Sequence, residues 1–299
     1  DLINLRHLDN ANTEQLKEMP KGIGKLTSLQ TLPKIVLGKA CGLGLSELKN
    51  LSLLRGTLSI EGLQNVVDIQ EAQEAYLKNK PDLEELQLIW SNKTDNSCDE
   101  DVLDMLQPHR HFKKLKIYFY GGRKFPTWIG DPLFDKLESI SLSNCVNCTS
   151  LPHLGQLHEL KHLRIGGMLG IKRIGIEFFM GNYPLEHAFP SLETLRFECM
   201  PDWEEWSWND GEMQFPHLHQ LTMFKCPKLT KISPLQLPLL HELDLEECTR
   251  EVLDSFMDLN SLTYLKLESI TGLSCLPREL TLCSSKLEVL EICNCNDFL

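Results

Sequence analysis

Apolar residues recur along the chain in a fixed frame, in which single polar residues separate the central apolar positions. The frame reads L-x-x-L-x-L-x-x-C in its clearest form, at Leu137, Ile140, Leu142 and Cys145. Alternation with a period of two is typical of a short β-strand whose apolar side chains point to one side. Each such stretch therefore predicts one strand with an apolar inner side and a polar outer side.

The frame returns about twelve times, clearly from residue 137 onward and more loosely before it. The predicted repeats start near residues 5, 29, 55, 83, 112, 137, 160, 192, 218, 240, 262 and 287. The starts lie 22 to 32 residues apart, around the period of leucine-rich repeats, in which a strand is followed by a returning segment. The sequence thus predicts a single domain of this kind over residues 1–299.

The repeats predict an α/β solenoid in the form of a leucine-rich-repeat horseshoe. One unit cannot bury its apolar side alone, so neighbouring units must stack, with their strands in one parallel sheet on the concave face. The convex returns should be irregular, with a few short helices. Asp68 with Glu71 resembles a capping pair at a helix start, and the acidic stretch at 99–106 predicts a second short helix.

The charge balance limits the choice of partner. Thirty Lys and Arg against 42 Asp and Glu give a net charge of −12, which argues against nucleic acid or an anionic membrane and favours a basic protein surface. The apolar runs are too short for a membrane span. Because the chain starts with Asp1 inside the repeat pattern, we expect a fragment whose uncapped end repeats promote aggregation.

The eleven cysteines include a C-x-x-C pair, Cys145 and Cys148, which could form half of a zinc site. His153 is near in sequence, but no fourth ligand is evident, and the cysteines at 293 and 295 should lie roughly 30 Å away at one strand spacing per repeat. The last frame position holds cysteine in four repeats, at Cys145, Cys226, Cys248 and Cys295. We therefore interpret these residues as buried structural thiols and predict no metal site.

Other motifs give no catalytic site. The stretch GIGKLTS at 22–28 resembles a phosphate-binding loop, but the required first glycine and the hydroxyl residue are missing. Trp203 and Trp206 lie among carboxylates, where they could anchor a basic partner, although clamping a convex loop onto the core is the favoured interpretation. The longest repeat contains an insertion at 181–190 that could bind or be a tolerated loop. We predict that the chain is not an enzyme.

The outward strand positions of the concave face are the candidate partner-binding surface. An acidic triple beside Tyr264 should meet a basic surface, and a smaller basic patch lies upstream. The alternative is that both are merely solvated surface. The candidate residues are Lys114, Lys116, Tyr118, Arg196, Glu198, Phe224, Glu242, Asp244, Glu246, Tyr264, Lys266 and Glu268.

Several stretches carry a family resemblance that runs through nearly the whole chain: MPKGIGKLTSLQTL, LSNCVNCTSLPHLGQLHELKHLRI, FYGGRKFPTWIGD and FPSLETLRFECMPDWEEW. They closely resemble the leucine-rich-repeat region of plant coiled-coil nucleotide-binding (NLR) disease-resistance proteins. The resemblance implies a parent protein with a coiled coil and a nucleotide-binding switch, both absent from this chain. It also implies that the repeats restrain the switch and help to recognise a pathogen effector or a guarded host protein.

The resemblance further implies cofactors and a location for the parent protein. ADP or ATP would bind the missing nucleotide-binding domain, and we expect no cofactor in this chain. The implied partners are the protein's own nucleotide-binding domain and the effector or guarded protein, in the cytoplasm or in both nucleus and cytoplasm. Two alternatives are the substrate-recruiting repeats of an F-box ubiquitin ligase and a receptor-kinase ectodomain, although the irregular spacing disfavours the latter.

Overall fold

The computed structural model describes residues 2–39, 43–92, 98–179, 188–208, 215–257, 259–277, 280 and 286–298. Short strands recur throughout this part of the chain. They are β1 Lys34–Val36, β2 Gly56–Glu61, β3 Leu83–Ile89, β4 Lys114–Tyr118, β5 Ser139–Ser143, β6 His162–Gly166, β7 Arg173–Ile174, β8 Thr194–Glu198, β9 Glu205–Trp206, β10 Gln220–Phe224, β11 Lys231–Ile232, β12 Leu235–Gln236, β13 Glu242–Glu246, β14 Phe256–Met257, β15 Tyr264–Glu268 and β16 Val289–Cys293.

Eleven of these strands form one parallel sheet in the order β1-β2-β3-β4-β5-β6-β8-β10-β13-β15-β16. From β4 to β16 the pairs are in register over all five residues. From the predicted start at residue 112 onward, each strand of this sheet begins two residues after a predicted repeat start. This arrangement confirms the predicted α/β leucine-rich-repeat solenoid.

The returning segments are irregular and contain little regular structure. Two small parallel sheets lie there, one ordered β11-β9-β7 and one pairing β12 with β14. The short α-helices are α1 Ile69–Glu74, α2 Asp99–Met105, α3 Ile176–Phe179 and α4 Arg250–Asp254, and 3-10 helices cover Ile23–Lys25, Leu45–Asn50, Leu63–Asn65, Leu77–Asn79 and Thr127–Gly130. The Asp68 half of the predicted capping pair is confirmed, because the Asp68 carboxylate accepts a hydrogen bond from the Gln70 amide at 2.9 Å at the start of α1.

The inner strand positions fill a continuous core. In β4, for example, Leu115 and Ile117 are fully buried, while the residues between and beside them face outward. Burial of this kind contributes roughly 25 cal/mol per Å² of apolar surface removed from water. Because each strand adds the same two inner positions, stacking extends one core along the solenoid.

A sharp corner follows the strands of the large sheet from β4 to β16. The first residue after the strand has a positive φ of 48° to 65° at Phe119, Asn144, Gly167, Cys199, Lys225, Glu247, Ser269 and Asn294. The Asn144 amide, for example, still donates to the Gly166 carbonyl of the next strand at 2.8 Å. The corner directs the following side chain inward, which explains why the frame ends on a buried residue such as Cys145.

Candidate functional site

The open face is the side of the large sheet that the core does not cover, and it corresponds to the predicted concave face. Each strand of the large sheet from β4 onward contributes its first, third and fifth residues to it. Because the strands are parallel and in register, these residues form three rows across the sheet. The middle row runs through Lys116, Ser141, Arg164, Arg196, Thr222, Asp244, Lys266 and Glu291.

Charges of opposite sign separate along the open face. The basic zone, made by β4, β5, β6 and β8, carries four cations against one carboxylate: Lys114, Lys116, Arg164 and Arg196 against Glu198. The acidic zone, made by β13, β15 and β16, carries five carboxylates against one ammonium: Glu242, Asp244, Glu246, Glu268 and Glu291 against Lys266. Strand β10, whose outward residues are uncharged, lies between the zones. The nearest strands of the two zones, β8 and β13, are therefore two strand spacings, or about 10 Å, apart.

One carboxylate links the two arginines of the basic zone. Arg164 and Arg196 are register partners on adjacent strands, where like charges repel each other. Arg164 donates from Nε and Nη2 to Glu198 Oε2 at 3.0 and 2.6 Å, and Arg196 donates from Nε to Glu198 Oε1. Partial burial alone would raise the pKa of Glu198, but the hydrogen bonds from both arginines outweigh it and hold the pKa below its usual value.

Lys116 has a similar partner on the other side of the basic zone. Its Nζ lies 2.8 Å from Glu85 Oε1 on β3, and Gln87 donates to the same carboxylate at 2.7 Å. Partial burial would raise the pKa of Glu85, but these two hydrogen bonds keep it lowered. Three of the four cations, Lys116, Arg164 and Arg196, are therefore held in place by ion pairs while their side chains remain partly exposed.

The acidic zone differs from the sequence expectation in one respect. The acidic triple Glu242, Asp244 and Glu246 was expected to meet a basic surface of a partner, but a cation of the same chain already lies beside it, because Lys266 is the register partner of Asp244. Its Nζ lies 2.8 Å from a Glu268 oxygen and 3.6 Å from a Glu246 oxygen. The hydrogen bond with Glu268 and the surrounding carboxylates raise the pKa of Lys266, so the zone carries its own counter-ion.

A shallow depression of about 340 Å³ lies on the open face of the basic zone. Its lining includes Lys116, Ser141, His162, Arg164 and Arg196. Ser141 is 9% exposed, and its hydroxyl has no hydrogen-bond partner among the residues that the structure describes. The depression thus combines cations with a buried polar group that could bind a ligand atom.

The structure brings the predicted candidate residues together on one face but leaves their role as a prediction. Lys114, Lys116 and Tyr118 lie on β4, the remaining candidates on β8, β10, β13 and β15. Sequence reasoning missed Arg164, Ser141 and His162. The repeat frame starting at 160 places Arg164 at the same strand position as Arg196, so continuing the outward positions into that repeat would have found it.

The cysteine pattern has a structural explanation. Cys145, Cys148, Cys226 and Cys248 are fully buried, and the thiols of three of them donate to the carbonyl two residues earlier, as Cys248 does to Glu246 at 3.4 Å. Cys148 donates instead to Gly122 at 3.2 Å. Cys295, at the same frame position, is only half-buried. In the described ranges no group of three His, Cys, Asp or Glu side chains could hold a metal ion.

The glycine loop that resembles a phosphate site is occupied by the protein's own carboxylate. The amides of Gly22 and Gly24 donate to Glu47 at 2.8 to 2.9 Å. Backbone amides arranged in this way attract anions, and here they hold a neighbouring repeat in place. The amides of Gly22 and Gly24 are therefore already occupied by Glu47 and are not available to a phosphate group.

The tryptophans belong to the core. Trp203 and Trp206 are fully buried, and their rings lie 4.7 and 5.3 Å from the ring of Phe197. This confirms the interpretation as a clamp rather than an exposed anchor. Residues 209–214 and most of the insertion at 181–190 lie outside the described residues. No helix within the described ranges has the length and apolar character required to cross a bilayer.

Comparisons with known proteins agree with this architecture. Residues 45–168 match the family model described as R13L1/DRL21 LRRs. The chain is 42% identical over 210 residues to a putative disease resistance RPP13-like protein 1 of Arabidopsis thaliana, covering 64% of this chain and 20% of the relative. It is 32% identical over 277 residues to a putative disease resistance protein RGA4 of Solanum bulbocastanum, covering 91% of this chain and 28% of the relative.

A solved structure is similar at the level of the fold only. The leucine-rich repeat domain of the type III effector XopL aligns with 87% of this chain and 73% of its own, with a TM-score of 0.43 and 16% identity. The curated relatives are several times longer than the part that the chain matches. On the repeat pattern, the sheet and these relatives, the chain is a leucine-rich-repeat region of the plant NLR disease-resistance proteins.

Proposed function

We propose that the open face binds protein partners and thereby regulates an intracellular plant immune receptor. In this proposal the acidic zone contacts a basic surface of the receptor's own nucleotide-binding domain at rest. Recognition of a pathogen effector or a guarded host protein then competes with that contact. ADP or ATP would bind the nucleotide-binding domain, and the receptor would act in the cytoplasm or in both nucleus and cytoplasm.

The separation of charge on the open face is the observation that supports the proposal. Surface charges of a soluble domain are usually mixed in sign, whereas here strands β13 to β16 and strands β4 to β8 differ in sign. Complementary potentials speed association and fix the orientation of a partner. A partner with a basic region is therefore expected over the acidic zone.

Charge reversal tests this contact. The triple variant Glu242→Lys, Asp244→Lys, Glu246→Lys should weaken binding of the 299-residue chain to the receptor's nucleotide-binding portion by tenfold or more, measured by calorimetry at low salt. A matched control reverses three exposed acidic residues outside the large sheet: Asp135→Lys, Glu159→Lys, Glu251→Lys. Equal effects of both triples would refute a specific contact through the acidic zone.

The F-box alternative predicts a different partner. The repeats would then recruit a substrate for ubiquitin transfer, and the chain would bind no nucleotide-binding portion at all. The relatives named as disease resistance proteins favour the receptor role.

A further inference from the structure

The basic zone contains a carboxylate that occupies two guanidinium groups at once. Glu198 accepts two hydrogen bonds from Arg164, donated by Nε and Nη2, and one from Arg196, donated by Nε. The terminal nitrogens of Arg196 have no acceptor within hydrogen-bond distance among the described residues, and its side chain is 51% exposed. The pair of arginines thus keeps free donors that point away from the core.

Ser141 provides a second, independent observation. It lies between Lys116 and Arg164 in the middle row and lines the depression, yet its buried hydroxyl has no partner in the described ranges. A buried hydroxyl without a hydrogen-bond partner destabilises the folded chain. Ser141 and Arg196 both line the depression, on strands two spacings apart. A ligand with more than one acceptor group could therefore contact both residues.

We propose that the basic zone binds an acidic segment of a protein partner, whose carboxylates contact Arg196, Arg164 and Ser141. Glu198 is then the internal carboxylate that keeps the two like charges together when the partner is absent. This inference rests on the proposed function and deepens it, because it says that the ligand of the basic zone is an acidic polypeptide segment.

The acidic zone limits the length of the ligand. Strands β4 to β8 span three strand spacings, or roughly 15 Å, which an extended segment of about four or five residues can cross. A longer polyanion such as a nucleic acid would extend over the five carboxylates of the acidic zone and be repelled. A short acidic stretch within a polypeptide can occupy the basic zone without reaching the acidic zone.

The test measures binding of a fluorescent peptide with four consecutive glutamates to the 299-residue chain. Arg164→Gln and Arg196→Gln should each weaken binding by about tenfold, the loss expected for a charge-assisted hydrogen bond. Glu198→Gln should tighten binding severalfold, because it removes the competing carboxylate. A gain of affinity cannot result from misfolding, so this variant keeps the test informative.

Arg173 and Glu205 supply a matched control. They form a similar ion pair, at 2.9 Å, between β7 and β9 and away from the open face. Arg173→Gln and Glu205→Gln should leave peptide affinity unchanged. Equal affinities across the Arg164, Arg196 and Glu198 variants would overturn the inference, and so would binding of inorganic phosphate at these arginines without binding of the peptide.

The two proposals fail in distinguishable ways. If the acidic-zone triple weakens binding to the nucleotide-binding portion while the peptide does not bind, only the inference fails. If the nucleotide-binding portion binds the acidic-zone triple as tightly as it binds the native chain, the proposed function fails.

Discussion

Lys80 is a buried cation that links its own repeat to the backbone of the preceding repeat. Its side chain is 1% exposed, and its Nζ donates to the carbonyls of Leu48 and Leu51 at 2.7 and 2.9 Å. These carbonyls lie at the end of the 3-10 helix Leu45–Asn50, where few backbone amides remain to pair with them. The Leu48 carbonyl also accepts from the Leu51 amide at 3.0 Å. Burial lowers the pKa of Lys80 to about 8.

The lowered pKa predicts a pH dependence of stability. Between pH 8 and about 10.5 the unfolded chain binds more protons at Lys80 than the folded chain, so this group makes folding more favourable as pH rises. The gain in the free energy of unfolding should approach about 3 kcal/mol. The neutral amine still has two N–H donors for the carbonyls of Leu48 and Leu51. Urea unfolding of the native chain and of Lys80→Met from pH 7 to 10 isolates the effect. A difference between them that does not change with pH would contradict the pKa.

The reactivity of each cysteine thiol should depend on whether its position in the repeat frame is buried or exposed. Burial protects Cys145, Cys148, Cys226 and Cys248, and hydrogen bonding with Cys145 together with burial raises the pKa of Cys148. A short pulse of iodoacetamide followed by peptide mapping should label the exposed Cys199, Cys275 and Cys293 at least tenfold faster than the buried four. Labelling in urea is the control, and rapid native labelling of Cys145 would refute the structural interpretation.

At the scale of elements, the small sheet of β7, β9 and β11 is fixed to the core by an aromatic cluster. Trp203 donates from Nε1 to the Glu205 carbonyl at 2.9 Å, and its ring lies 5.4 Å from that of Trp206 on β9. The cluster joins the return of one repeat to the strand β8 through Phe197. Packing of this kind explains why an irregular return keeps a defined position.

Removing the ring should therefore destabilise the chain. Trp203→Ala is expected to lower the free energy of unfolding by about 3–5 kcal/mol, since it loses apolar burial and leaves a cavity. Trp208→Ala, at a half-buried neighbouring position, should cost less than half as much. Equilibrium urea unfolding followed by circular dichroism measures both, and equal losses would argue against the clamp.

The sequence predicted the strands and their outward residues well because both follow from a period-two pattern within one repeat. The prediction was less accurate for the first strands: β1 begins at Lys34, five residues after the predicted repeat start at 29, and β2 begins at Gly56, one residue after the predicted repeat start at 55. Ion pairs could not be predicted in the same way. Arg164 and Glu198 are 34 residues apart, so their contact depends on strand register and side-chain rotamers.

At the scale of the whole molecule, β16 forms one edge of the large sheet. Leu290 occupies an inner position beside Leu265, yet it is 43% exposed whereas Leu265 is fully buried. Val289 is 42% exposed on the same strand. An apolar sheet edge of this kind promotes pairing with other chains.

The chain should consequently self-associate at micromolar concentrations. Leu290→Lys is expected to shift the mass measured by light scattering toward the monomer, because it places a charge in the apolar contact. Glu291→Lys adds positive charge on the open face of the same strand and serves as the control. A native chain that stays monomeric across this range, or an equal effect of both variants, would contradict association through β16.

The most direct test of the account is hydrogen exchange of the 299-residue chain with and without the receptor's nucleotide-binding portion. We expect added protection in β13 and β15, whose outward residues form most of the acidic zone, and little change in the returns around α4. Protection confined to the returns, with the strands of the open face unchanged, would contradict the claim that this face binds partners.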